Sequence, residues 1–315
     1  MSSPSACGIC AGPLELRYAG AGGRADPSRL SPSCHEPAAY ADLYACRDCG
    51  TVQQPSLPRG PALHDLYREM RDDDYLAEER GRRTTANRLL DLVAEQVAPA
   101  RPRLLDVGCG HGLLVDEARR RGWDARGLEL SADAVAHARD ALGLSVEEVP
   151  LDALDEAGCY DAIVMADVLE HVDDVPGALD RCRALLAPGG ALCVATPDPS
   201  SRTARLAGSR WWGYLPAHTY LVPRATLRAL LTERGLVPAA DVPMVRTFSA
   251  RYWVAGLAER GGPLGTVAAA VGRALPASWS LSLSLYDERV IVARAPKLPA
   301  AAGETARRTA PAPEL

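Results

Sequence analysis

The chain has 315 residues, 47% of them apolar, with 35 basic residues against 40 acidic ones and a formal net charge of −5. That supports one α/β domain of about 200 residues plus a smaller appendage, folding around its own core without covalent staples. The acidic balance supplies no general attraction for nucleic acid or an anionic membrane surface, so no nucleic-acid partner is expected.

The opening Met1-Ser-Ser-Pro-Ser-Ala-Cys7 has neither the basic nor the apolar region of a secretory signal. No stretch approaches the roughly 18 consecutive apolar residues of a membrane span, and cytosol (a cytoplasmic location) is expected. Of the nine cysteines, Cys7, Cys10, Cys34, Cys46 and Cys49 crowd the first 49 residues. Cys109, Cys159, Cys182 and Cys193 are scattered singly, as small apolar packing residues are. Cys7-Gly-Ile-Cys10 and Cys46-Arg-Asp-Cys49-Gly50 are two CxxC knuckles, each able to turn two thiolates toward one ion. Together they predict a closed Zn2+ site at Cys7, Cys10, Cys46 and Cys49, which has no open position for chemistry and so supports or docks. Cys34 or His35 could replace one ligand, but a proline-flanked loop explains them without metal. Redox chemistry suits the pairs less well, because neither lies between a strand and a helix. Residues 1–54 are thus expected to form a zinc-binding element.

Pro55, Pro58, Gly60 and Pro61 mark a linker. From His64 to Ala98 the pattern is helical, so 55–98 reads as linker and helical cap, with Leu89, Leu90 and Val93 packing on the next domain. Tyr67, Tyr75, Arg82 and Arg83 are candidates to line a cofactor entrance, against packing or solvent roles.

Residues 99–295 read as the main domain. The stretch Arg103–Gly112 contains a short apolar strand with an acidic residue near its end and a loop with glycine at 108, 110 and 112, and a helix follows from Leu113 to Arg121. Glycines admit close backbone approach, and a helix start offers free N–H groups. The next strand ends at Glu129, seventeen residues beyond Gly112, where a carboxylate can accept both hydroxyls of a ribose. Ser131 caps a helix. Strands at 146–149 and 161–166, a helix at 175–186, the Pro188-Gly-Gly190 turn and a strand at 191–196 continue the alternation, which predicts a mostly parallel sheet with ligands at its C-terminal edge. Gly127 is a departure from an ideal buried strand.

Leu105-Asp-Val-Gly-Cys-Gly-His-Gly112, Glu129, Asp167-Val-Leu-Glu-His-Val172, Leu185-Leu-Ala-Pro-Gly-Gly190 and Thr196-Pro-Asp198 follow one another in this order. The series resembles the class I S-adenosylmethionine (SAM)-dependent methyltransferases over about residues 65–246, and the Asp-Val-Leu-Glu-His stretch resembles ubiquinone-pathway O-methyltransferases. The resemblance implies a Rossmann-like seven-stranded sheet whose last strand is antiparallel. It also implies a cofactor set of Asp106, Gly108, Cys109, Gly110, Gly112, Glu129, Leu130, Leu151, Asp152 and Ala166. In that set the loop backbone holds the methionyl part, Glu129 the ribose, and Leu151 or Asp152 borders adenine. A nicotinamide-dependent enzyme would share the first strand and the ribose acid, but fits the later motifs poorly.

Methyl transfer needs alignment first, and a base only where the acceptor must lose a proton. His171, after the fourth strand, and His218, within Arg210-Trp-Trp-Gly-Tyr-Leu-Pro-Ala-His-Thr-Tyr220, are the candidate catalytic residues. Trp211, Trp212, Tyr214 and Tyr220 could bury an apolar acceptor, or form a packed lid or subunit contact. In His111 the backbone matters more than the ring. A helix from Pro223, its exit and a sixth strand within 235–245, a helical excursion over 248–275, an alternating stretch at Ser280–Leu285 and a seventh strand at 288–294 complete the domain. Trp253, Leu257, Val267 and Val271 could serve a substrate wall or a homodimer surface. Residues 296–315 have the composition of a disordered tail. The expected function is methylation of a hydroxyl or amine of a small, partly apolar metabolite in natural-product biosynthesis. C-methylation of a sugar or activated carbon, RNA methylation and a noncatalytic SAM-binding partner are the alternatives. Some sugar C-methyltransferases resemble this chain in joining a zinc element to such a domain, but no obvious counterpart of their large third domain is expected among these 315 residues.

Overall fold

The computed structural model describes residues 6–20, 26, 30, 40–72, 74–258, 262–276 and 278–297. Cys34, His35 and most of the 296–315 tail lie outside them. The N-terminal element carries β1 (Leu14–Tyr18), β2 (Leu43–Cys46) and β3 (Val52–Gln53). Next come α1 (Pro61–Glu69), a 3₁₀ turn at Tyr75–Glu78 and α2 (Glu79–Ala94). The helical pattern over 64–98 is therefore divided between two helices and a 3₁₀ turn. Met70 turns extended at φ −64°, ψ 136°, and its carbonyl accepts Ser131 Oγ at 2.9 Å. The consecutive acids that follow are weak helix formers. Pro61 belongs to α1, where its fixed φ suits a first helical position.

The main domain runs β4 (Arg103–Val107), α3 (Leu113–Arg120), β5 (Asp124–Leu128), α4 (Ala132–Asp140), β6 (Val146–Glu147), β7 (Tyr160–Ala166), α5 (Val175–Leu185) and β8 (Leu186–Pro197). It continues with α6 (Arg202–Ala207), β9 (Tyr220–Leu221), α7 (Arg224–Glu233), β10 (Val237–Pro243), β11 (Arg246–Ser249), α8 (Ala250–Ala258), α9 (Gly262–Ala274), β12 (Ser280–Leu283) and β13 (Glu288–Arg294). The seven-stranded sheet has the order β10-β13-β8-β7-β4-β5-β6. β13 is antiparallel to both its neighbours, and the other pairings are parallel. This is the Rossmann-like class I methyltransferase fold.

Both sheet faces are covered. One packs Ile163, Met165 and Ile291 with Leu179 of α5 and Leu231 of α7. The other packs Leu104, Val164 and Val292 with Val115 of α3 and Leu89, Leu90 and Val93 of α2, as the helical spacing requires. β8 begins before the Pro-Gly-Gly turn and runs through it, with Gly189 at φ +78° and a register shift against β7. Gly127 is a site of close approach, because a Cβ there would lie 2.4 Å from Cys109 Sγ. The alternating Ser280 stretch pairs with β11 in a separate two-stranded ribbon. β9 joins the N-terminal strands in a four-stranded sheet of order β1-β2-β3-β9, which ties those strands to the main domain.

Candidate active site and cysteine knuckle

The loop between β4 and α3 holds Gly108, Gly110 and Gly112 at φ +67°, +52° and +82°, a region costly for any residue with a Cβ. Gly108 has no room for one either, since it would meet Val168 Cγ2 at 2.5 Å. Beyond β5, Glu129 is aimed by three backbone donors: Gly110 N at 2.8 Å on one oxygen, Leu130 N at 2.7 Å and Ser131 N at 2.8 Å on the other. Burial still raises its pKa against these bonds. Asp106, buried in β4, is raised well above the carboxylate range by burial and by Glu129. Burial likewise keeps the Cys109 thiol protonated. Leu151 and Asp152 sit in a 3₁₀ turn after β6, and Ala166 ends β7. The predicted cofactor residues thus lie on or just beyond β4 to β7, toward one edge of the sheet.

Tyr75 stacks on His111 with centroids 4.5 Å apart, faces Gly110, and lies under Arg82 at 3.8 Å. Arg83 points elsewhere, bonding Glu79, Asp116 and Glu117.

His171 and His218 come together, with ring centroids 4.8 Å apart. His171 Nδ1 lies 2.8 Å from Tyr67 Oη and 3.2 Å from Ala217 O; His218 Nδ1 lies 2.7 Å from Gly213 O. A carbonyl only accepts, so His218 carries its proton on Nδ1 and keeps Nε2 as its acceptor; His171 takes the same tautomer when its Nδ1 donates to Ala217 O, the Tyr67 oxygen then accepting as well. Burial lowers the His171 pKa to about 4, opposed by Asp167, and lowers His218 to about 3 with His171 adding to the effect. Glu170, next to His171, accepts Thr196 Oγ1 at 2.9 Å, and burial with Asp167 raises its pKa well above the usual range. Burial works against the charge on Asp167, at φ +57°, but Arg246 outweighs it, and Arg246 also pairs with Glu288.

The two depressed imidazoles set a pH window. The unfolded histidines, near 6.5, bind protons that the folded ones refuse. Their contribution to stability is complete above about 6.5 and is lost as pH falls toward about 4 for His171 and about 3 for His218. Raised carboxylates such as Glu170 act in the opposite sense, so a variant comparison is needed. A His171→Gln/His218→Gln variant should lose less melting temperature than the wild type between pH 7 and 5. Parallel curves would contradict the buried neutral pair.

The aromatic stretch is largely spent on packing. Trp211, Tyr214 and Tyr220 are buried, and Tyr214 meets Trp211, Tyr18 and Tyr40 edge-on. Trp211 and Trp212 both donate Nε1–H to Asp287. Sequence reasoning missed Glu170, Asp167 and Arg246; the first two stood inside the Asp-Val-Leu-Glu-His motif, whereas nothing near Arg246 marked it.

The four knuckle sulfurs all lie within 4.8 Å of one another, with Cys7–Cys49 at 3.7 Å and Cys10–Cys46 at 3.5 Å. Tetrahedral zinc with bonds near 2.3 Å requires sulfurs about 3.8 Å apart, so the donor set fits the ion. Burial raises the Cys7, Cys10 and Cys49 thiols; for Cys46, backbone N–H groups of Cys49 and Asp48 and the neighbouring thiols outweigh it and lower the pKa. Glu170, His171 and His218 form a second group with ligating atoms within 4.8 Å. No helix among the described residues is long and apolar enough to cross a membrane.

A family model described as a methyltransferase domain matches residues 77–240. The ubiquinone biosynthesis O-methyltransferase of Xanthomonas axonopodis pv. citri (strain 306) is 32% identical over 164 residues, 47% of this chain and 67% of that protein. Its counterpart in Xanthomonas campestris pv. campestris (strain B100) is 37% identical over 128 residues, 38% of this chain and 52% of that one. The chain thus spans about half to two-thirds of the length of these two relatives. Among solved structures, the N-methyltransferase NodS from Bradyrhizobium japonicum WM9 in complex with S-adenosyl-L-homocysteine is 19% identical, covering 76% of this chain and 100% of that one at a TM-score of 0.48. With the family model matching more than half of its length, the chain belongs to the methyltransferase-domain family and is a class I SAM-dependent methyltransferase.

Proposed function

We propose that the chain methylates a hydroxyl of a small, partly apolar metabolite, with an amine as the related acceptor, in natural-product biosynthesis. The observation that carries this is the His171–His218 pair, two neutral imidazoles on the same sheet edge as the glycine loop and Glu129. The similarity to O-methyltransferases of ubiquinone biosynthesis supports the choice of oxygen.

SAM, when bound, supplies a methyl carbon already activated on a sulfonium. The backbone at Gly108, Gly110 and Gly112 would hold its methionyl part and Glu129 its ribose, with the Leu151–Asp152 turn bordering its adenine. Three of about four lone pairs on Glu129 are already engaged, so holding both ribose hydroxyls requires one of its three backbone donors to give way. His171 Nε2 accepts the acceptor's proton as the new bond forms, while Tyr67 and Ala217 hold the ring and its tautomer. His218 keeps a second neutral acceptor beside it. Cys7, Cys10, Cys46 and Cys49 would hold a Zn2+ ion that braces the N-terminal element.

Methyl-labelled SAM, incubated with the protein and a small-molecule extract of its source, tests this by mass spectrometry. Labelled product whose fragments carry the methyl on oxygen is expected; label on carbon, or in macromolecules, contradicts it. Glu170, His171 and His218 also have the donors of a divalent-cation site, and a cation there would polarise the acceptor oxygen instead. Turnover lost on chelation and restored by Mg2+ or Mn2+, but not by Zn2+, would favour that second reading.

A further inference from the structure

The N-terminal element reaches the histidine pair directly. Register pairs Val52 with Leu221 and Gln53 with Tyr220, which brings Gln54 opposite Thr219, whose carbonyl accepts Gln54 N at 3.0 Å. The Gln54 side chain is buried and makes three hydrogen bonds: Nε2 donates to Leu215 O and to His218 O, each at 2.7 Å, and Oε1 accepts Ala41 N at 2.8 Å. Only a primary amide can serve two carbonyls and one N–H in this way. The two carbonyls flank the turn closed by His218 N to Leu215 O at 3.2 Å, the turn that carries the His218 ring. On its far side the same loop is hung from the sheet edge, where Thr219 N and Tyr220 N donate to Glu170 O at 2.7 and 3.2 Å. The spacing of His218 from His171 is therefore set between Gln54 and the Glu170 carbonyl.

Behind Gln54 stands the knuckle. Gln53 Oε1 accepts Gly8 N at 3.1 Å, a Cβ on Gly8 would strike the Tyr220 phenol, and Thr226 Oγ1 donates to Cys49 O at 2.6 Å. We propose that Gln54 is a positioning residue for His218, so that the cysteine element completes the acceptor side of the site. This rests on His218 being an acceptor-side imidazole.

The test is imidazole ¹⁵N NMR on the whole histidine-labelled chain, with His218 among its six histidines assigned through His218→Gln. In the wild type His218 should be a single neutral tautomer with its proton on Nδ1. Gln54→Met removes both donors at nearly constant volume, and Gln54→Glu keeps the acceptor for Ala41 while losing them. In either folded variant, His218 should become a tautomer mixture. Methyl transfer should fall about tenfold or more with the KM for SAM unchanged, the scale of a catalytic group displaced but still present. Gln53→Met, on the same strand but with its side chain bonded to Gly8 N rather than to a carbonyl of the Leu215–His218 turn, should leave the His218 signal as in the wild type. An unchanged tautomer in the Gln54 variants, or an equal change in Gln53→Met, overturns the proposal. If His218→Gln has no effect on turnover, the acceptor-side reading fails instead, and the NMR result still decides whether Gln54 holds the ring.

Discussion

His171→Gln is expected to slow methyl transfer by about a hundredfold to ten-thousandfold, the range of a positioned general base, while leaving SAM binding unchanged. Glutamine retains size and polarity but cannot take up a proton. The large effect follows from how the ring is held: with Nδ1 committed to Tyr67 and Ala217, Nε2 is left as the proton acceptor. Its pKa near 4 keeps it unprotonated at neutral pH. Protonation removes the base, so kcat/KM should fall as pH drops through about 4, well below the 6.5 of an ordinary imidazole. Single-turnover rates with labelled SAM, beside a SAM titration, check both points. A rate loss matched by weakened SAM binding would make His171 a cofactor contact, and a limb at 6.5 would show that the ring is not buried and neutral.

Loss of the knuckle metal should have the second large effect. Elemental analysis is expected to find one zinc per chain, and Cys46→Ser should abolish it. Structural zinc contributes on the order of 10 kcal/mol to the segment it folds. Only part of that reaches the main sheet, so the melting temperature should fall by roughly 10 °C. The near-ultraviolet signal of Trp211 and Trp212 should change with it. Their segment packs on the N-terminal strands through Tyr214, which meets Tyr18 and Tyr40. Cys34→Ser should keep the metal. A Cys46→Ser protein with full zinc and an unchanged melt would show that the four thiols do not form the site.

What the sequence revealed of this fold was what local chemistry decides. Glycines at 108, 110 and 112 announced a backbone of positive φ, Ser131 announced a helix start, and Leu89, Leu90 and Val93 announced the buried face of α2. The two knuckles were legible because a CxxC turn is complete within four residues. The elements that escaped were made by distant partners. Arg246 meets Asp167 and Glu288 across 79 and 42 residues, and the helix break at Met70 is fixed by Ser131, 61 residues away. No periodicity encodes such pairs. Gly127 was legible as a weakness in a strand, and only the Cys109 thiol above it explains the residue. The tryptophans at 211 and 212 had the composition of a ligand wall, but Asp287, 76 residues away from the first, claims both indole N–H groups.

The most direct test of the account is a calorimetric titration of SAM into the purified chain and into Glu129→Ala. Removing the carboxylate deletes charge-assisted hydrogen bonds to the ribose worth about 1.5–3 kcal/mol, roughly a tenfold to hundredfold loss of affinity. The account predicts saturable one-to-one binding by the wild type, weakened by that factor in the variant with the fold intact. No binding by the wild type, or equal affinity for the two proteins, would contradict it.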